Sequence, residues 1–164
     1  GYTGSSYAIS LWVKMITDIS GTDNIRFCIL GDSASDTYLQ LGYYVDAGTL
    51  KLYFARTKFG ATADEIFYTT TLGTAIFHNI ILTYNATTLR AYLDNVDIGN
   101  VAASGNGTSA VTSKFNIFAN TGDSGNTVAP CLIDDVALFN RNLTAAEVAI
   151  IFAGGTSGLQ SKYW

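Results

Sequence analysis

The chain has 164 residues, 48% of them hydrophobic and only 13% charged, with a formal net charge of -4 and a sequence pI near 4.7. That length buries one sizeable core, and the acidic balance argues against a phosphate-tracking nucleic-acid surface. No run of about 18 or more apolar residues is present to span a membrane as a helix, and the first residues carry no signal-peptide pattern.

Solubility rests on Thr, Ser, Asn and Gly instead of charge. A composition rich in β-branched and turn residues and poor in Glu and Lys suits an all-β extracellular, cell-surface or virion-surface protein. Because numbering starts almost directly on a strand, the expectation is a single domain over residues 1–164, excised from a larger protein.

In chain order, Tyr7 to Met15 reads as a strand with apolar residues on both faces. Ile25 to Leu30 is mostly apolar and so central, and Gly31 to Asp36 is a loop carrying Asp32 and Asp36. Tyr38 to Tyr43 and Leu50 to Arg56 form a hairpin across Asp46-Ala47-Gly48, where glycine supplies a positive φ. Asp64 to Thr70 reads as an edge strand. Ile76 to Tyr84 and Thr88 to Leu93 flank Asn85-Ala86-Thr87, and Asp94-Asn95 turns the chain into Val96 to Ile98. Asn100 to Ser113 and Asn120 to Val128 read as polar loops on either side of a strand from Lys114 to Ala119.

The final strand, Cys131 to Asn140, is apolar at Leu132, Val136 and Leu138, with Ile133 and Phe139 out of strict alternation. Two carboxylates, Asp134 and Asp135, interrupt it, and a buried carboxylate is costly unless hydrogen-bonded, paired or bound to a metal. Thr144 and Glu147 form a capping box, and Val148, Ile150, Ile151 and Phe152 give a short helix ended by Gly154-Gly155. About ten short strands at regular turn spacing predict two packed antiparallel sheets.

Several of these blocks resemble the laminin-G-like jelly rolls of the concanavalin A-like lectin and glucanase superfamily. The run Ile133-Asp134-Asp135-Val136 followed by Leu143-Thr144-Ala145-Ala146-Glu147 resembles that family's I-D-D-V strand and L-[ST]-x-x-E helix start. Ala8-Ile9-Ser10-Leu11-Trp12-Val13-Lys14 is similar to its F-T-I-S-x-W-V-K strand. Phe77 to Tyr84 with Leu89 to Asp94 is similar to its W-H-H-V-x-x-[TS]-Y and L-x-x-Y-[VL]-D-G pair, with Phe77 for the usual Trp and Asn95 for the usual Gly. The resemblance implies a two-sheet antiparallel jelly-roll β-sandwich with one short C-terminal helix.

Glucanase relatives place two catalytic carboxyls on one strand in an E-x-D-x-x-E arrangement, which this sequence lacks: Glu65 and Glu147 are its glutamates, and Glu147 serves the helix cap. The expectation is therefore a non-catalytic recognition or adhesion module, binding a glycan or cell-surface polysaccharide. The alternative is a structural module, such as a viral decoration or tail-fibre domain, that binds other protein subunits. Neither reading involves nucleic acid or membrane insertion. His78, the lone histidine, reads as a hydrogen-bonded structural residue.

Sugar rings stack on aromatic faces while polar side chains fix their hydroxyls. Tyr43, Tyr44, Tyr53, Arg56, Phe59 and Tyr68 fall where they could line a concave sheet or its rim, although aromatics also pack cores. For calcium, which takes roughly six to eight oxygen ligands, resemblance to the pentraxin branch nominates Asp32, Asp36, Asn120 and Asp123. Resemblance to the glucanase branch nominates Asp134. The same residues are ordinary turn formers. Cys28 and Cys131 either form one bridge, if their strands are neighbours, or remain two buried thiols. Asn-x-Thr sequons occur at Asn85, Asn106 and Asn142 and matter only in a host that glycosylates.

Overall fold

The computed structural model describes residues 6–17, 25–30, 37–58, 64–103, 115–117, 127–128 and 130–158. Among them run β1 (Tyr7–Met15), β2 (Ile25–Leu30), β3 (Thr37–Asp46), β4 (Thr49–Lys58), β5 (Asp64–Thr69), β6 (His78–Tyr84), β7 (Thr88–Leu93), β8 (Val96–Ala102), β9 (Phe115–Ile117), β10 (Thr127–Val128) and β11 (Cys131–Phe139), followed by helix α1 (Ala145–Gly158).

The strands form two sheets. The first has the order β11-β1-β6-β7-β8 and is antiparallel throughout. The second has the order β10-β2-β3-β4-β5, with β9 also paired to β2, and its one parallel pairing is the two-residue β10–β2 contact. With one helix after the last strand, this is the jelly-roll sandwich expected from the sequence.

Alternation decides which side chains meet between the sheets. From β1, Tyr7, Ile9, Leu11, Val13 and Met15 point inward against Leu39 and Leu41 of β3 and Leu52 and Phe54 of β4. Each such aliphatic or aromatic side chain contributes about 1.5–3 kcal/mol on burial. The other face of β1 is covered too. Ala8 with Ile81 and Tyr92 forms a second cluster with Leu143, which leads into α1, and Val148 of α1, joined by Phe139 and Ile151. Trp12 stacks on Phe152, ring centroids 5.8 Å apart. The helix therefore roofs the outer face of the first sheet, which explains why β1 is apolar on both sides.

The capping box forms as its residues predict: Thr144 N–H and hydroxyl both donate to Glu147 Oε2 at 2.9 Å, and Glu147 N–H donates to Thr144 Oγ1 at 3.3 Å. Helical geometry breaks at Gly155, where φ is 51°. The chain can adopt that value there without the steric cost a side chain adds. Asn100 to Ala102, read from sequence as loop, continue β8, because Asn100, Val101 and Ala102 pair with Arg90, Leu89 and Thr88.

The irregular pattern of the last strand has a structural cause. Pairing with β1 shifts register between Ser10 and Trp12, so two residues, Asp135 and Val136, face Leu11 alone, and Asp135 takes a left-handed φ of 47°. This bulge moves the inward positions from Cys131 and Ile133 to Val136 and Leu138. Leu132, expected inside, is corrected to a 49% exposed position on the outer face. Asp134 is exposed as well, since β11 is an edge strand, and its Oδ1 accepts the Asp135 N–H at 2.8 Å.

Cys28 and Cys131 are free thiols, both buried, on β2 of one sheet and β11 of the other. Desolvation raises both thiol pKa values, that of Cys131 to about 12. No helix among the described residues is long and apolar enough to cross a membrane.

Candidate functional site

Outward positions of the second sheet alternate with the core positions above. On β4 they include Lys51, Tyr53 and Ala55, opposite Tyr44, Gly42 and Gln40 of β3 and Thr69, Phe67 and Glu65 of β5. Three rings gather there: Tyr53 lies 5.1 Å from Phe67 and 5.7 Å from Tyr44, and Tyr44 lies 5.7 Å from Phe67. Cross-strand aromatic neighbours of this kind reinforce one another.

Polar and cationic groups frame the cluster. Gln40 Nε2 donates to the Tyr53 hydroxyl at 3.1 Å, which itself donates to Glu65 Oε1 at 2.7 Å. Arg26 sits over the Tyr53 ring at 5.1 Å and Lys51 over the Phe67 ring at 5.9 Å. Phe67 remains 41% exposed, a large apolar surface among polar neighbours, while Tyr53 at 5% forms the buried base of the group. Gly42 completes the floor: a Cβ there would lie 1.9 Å from the Ile25 carbonyl oxygen, so only glycine lets β2 and β3 approach where β2 bulges between Arg26 and Cys28.

The residues nominated from sequence separate into four groups. Tyr44 and Tyr53 belong to this face. Tyr43 does not: at 1% exposure it is a core side chain, packed edge-on against Phe27 and accepting the Leu72 N–H, and burial pushes its phenol pKa up. Arg56 is likewise corrected to an interior group. It is 3% exposed, 3.3 Å from Asp64, and its guanidinium lies over the Tyr84 ring at 4.4 Å. The parity of β4 turns Arg56 inward while Tyr53 turns outward. Tyr68 shares the inward parity of β5 yet is 37% exposed at the sheet edge. Phe59 lies outside the described residues.

Phe67 was missed by sequence reading. The available signal was alternation within the hairpin: once Leu52 and Phe54 are assigned inward, Tyr53 and its cross-strand partners must face out.

Of the nominated calcium ligands, Asp32, Asp36, Asn120 and Asp123 lie outside the described residues. Asp134 is exposed with one oxygen engaged by backbone, and no group of three or more His, Cys, Asp or Glu among the described residues is placed to hold a metal ion. The glutamates lie on opposite sides of the sandwich, Glu65 outward on the second sheet and Glu147 in the helix roofing the first, so they cannot flank one glycosidic bond.

A family model described as the concanavalin A-like lectin/glucanases superfamily, of laminin-G type, matches residues 2–149. No curated protein matches the sequence. Among solved structures, the binding domain of botulinum neurotoxin DC in complex with SialylT is 14% identical with a TM-score of 0.69, matched over 92% of this chain and 36% of that one. Botulinum neurotoxin type C, for which cell entry depends upon interaction with two ganglioside molecules, is 16% identical with a TM-score of 0.65 over the same shares. The heptameric SAP-like pentraxin from Limulus polyphemus is 11% identical with a TM-score of 0.68, matched over 94% of this chain and 72% of that one. The chain thus spans about a third of the toxin chains it matches, and at these identities the likeness is one of fold.

Proposed function

This chain belongs to the concanavalin A-like lectin/glucanases superfamily, and from that premise we propose that it is a non-catalytic carbohydrate-recognition module whose ligand lies on the Tyr44, Tyr53 and Phe67 face. The observation that carries the reading is the exposed Phe67 ring, joined to Tyr44 and Tyr53 and surrounded by Gln40, Glu65, Arg26 and Lys51. An apolar ring ringed by hydrogen-bonding groups matches the two aspects of a pyranose, a C–H face and a belt of hydroxyls. The ganglioside and sialylated ligands of the toxin neighbours support the ligand class.

The module would act at an extracellular, cell or virion surface, as part of a larger protein. Calcium dependence belongs to the same proposal and rests on the acidic loops at Asp32 to Asp36 and Asn120 to Asp123. A glycan array of sialylated, galactosylated and glucan oligosaccharides, probed with and without chelator, tests both parts. Binding that falls at least about tenfold in Phe67→Ala, the cost of losing an exposed stacking contact of roughly 1–2 kcal/mol, supports the face. A blank array, or binding indifferent to Phe67→Ala and Tyr44→Ala, overturns it and leaves the protein-binding structural module. Binding unchanged by chelator removes calcium alone.

A further inference from the structure

A second polar concavity lies on the opposite side of the sandwich, where the β6–β7 hairpin meets the segment entering α1. Its volume is about 210 Å³, and its walls are Thr83, Thr88, Arg90 and Tyr92 on one side with Asn142 and Ala145 on the other. At a share of roughly 30 Å³ per water molecule, it holds on the order of seven waters. That is space for one sugar ring.

The walls are already fixed in place. Leu143 N–H donates to Thr83 Oγ1 at 3.0 Å, tying the helix entry to β6, and Asn85 Oδ1 accepts the N–H groups of Thr87 and Thr88, holding the turn. Thr144 is occupied by the helix cap. Tyr92 also lines the cleft and, at 5% exposed, is held by the apolar cluster of Ala8, Ile81, Leu143 and Val148. A tyrosine with its apolar body packed and its ring at the wall of a polar cleft suits a ligand that offers both C–H surface and hydroxyl groups.

We propose that this cleft binds a single terminal sugar residue, recognised through its hydroxyl groups. Hydroxyl and amide side chains dominate the walls, and each both donates and accepts, as a polyol requires. A compact anion is the poorer match, because the one cationic wall group, Arg90, is offset by Asp97 at 3.1 Å. Donors toward a ring oxygen remain at the first turn of α1, where the Ala145 N–H has no intrahelical acceptor. The assignment does not rest on the aromatic face, from which the first sheet and the core separate it.

The test is chemical-shift mapping of the isotopically labelled chain, made in a host without N-glycosylation because Asn85 and Asn142 stand in sequons, against a panel of methyl glycosides at millimolar concentration. Shifts centred on Thr88, Asn142 and Ala145 are expected, with affinity falling about fivefold in Tyr92→Phe, which keeps the ring and loses one hydrogen bond of roughly 1 kcal/mol. Thr88→Val, isosteric and half-buried, supplies a second variant with the same expectation. Persistence of these shifts in Phe67→Ala separates this cleft from the aromatic face. Shifts confined to the aromatic face, affinity unchanged in both Tyr92→Phe and Thr88→Val, or a response to inorganic phosphate with none to any glycoside would each overturn the proposal.

Discussion

Asp94 Oδ2 lies 2.7 Å from His78 Nδ1 while Oδ1 of the same carboxylate accepts the Asn79 N–H at 2.8 Å, so one aspartate in the β7–β8 turn holds the beginning of β6. Asp94 and Asn95 both have positive φ, 50° and 67°, which is the geometry of a two-residue primed turn matched to strand twist. The Asp94 N–H returns a bond to Asn79 O at 2.9 Å. A residue that both forms the turn and closes this ring of bonds controls three strands.

Asp94→Ala is expected to destabilise the fold by about 1.5–3 kcal/mol, the cost of removing charge-assisted hydrogen bonds and a favourable turn residue. His78→Ala leaves the bond to Asn79 intact and should cost less. Urea denaturation of both single variants and the double variant measures this; additive losses would show that the histidine and aspartate are not coupled.

Asp135 predicts a pH effect of opposite sense to ordinary acid denaturation. Burial, and then the charge of Asp134, raise its pKa from 3.8, and its Oδ2 is buried without a partner. A raised folded-state pKa means the stability contribution is present below the unfolded value and is lost as pH rises through the folded one. Asp135→Asn, which tolerates the left-handed backbone, should therefore gain about 0.5 kcal/mol at pH 7, since charge is removed but a buried polar atom remains. Thermal melts at pH 7 and pH 3 check it: the advantage should shrink at the lower pH.

Glu147 behaves the other way. Hydrogen bonds from Arg141, at 2.6 Å, and from Thr144 lower its pKa from 4.5 to about 2. The contribution it makes is present above the unfolded value and disappears as pH falls through about 2. Protection factors at the first turn of α1, taken relative to the intrinsic exchange rate at each pH, should fall between pH 4.5 and 2 before the sheets open. Protection that is flat across that window would remove the cap from the account of the helix.

Both thiols should resist alkylation in the native protein at pH 8 and react fully once it is unfolded. Burial keeps them protonated, and reagent access requires opening of the core. A mass increase of two adducts on unfolding without reductant confirms two free cysteines; no increase would mean a bridge.

The hairpin over Ala47 and Gly48, the edge strand from Asp64 and the capping box at Thr144 were all legible, because each depends on residues within a few positions of one another. The aromatic face was less so. Tyr43, Tyr44 and Tyr53 carry similar chemistry, and only strand parity sends the first into the core and the other two outward. Phe67 gained its meaning from a cross-strand register that no local pattern contains.

By itself the sequence determined the architecture, since alternating apolar residues, turn chemistry and the terminal helix signal admit few arrangements besides two sheets with a roof. Tertiary structure alone decided which polar and aromatic side chains reach solvent. The reason is physical: in a two-layer sandwich a one-residue shift reverses the direction of a side chain, and the bulge opposite Leu11 makes that shift within a single strand. The cleft beside Tyr92 is the clearest case, for its walls come from segments some fifty residues apart that meet only when α1 docks on the first sheet.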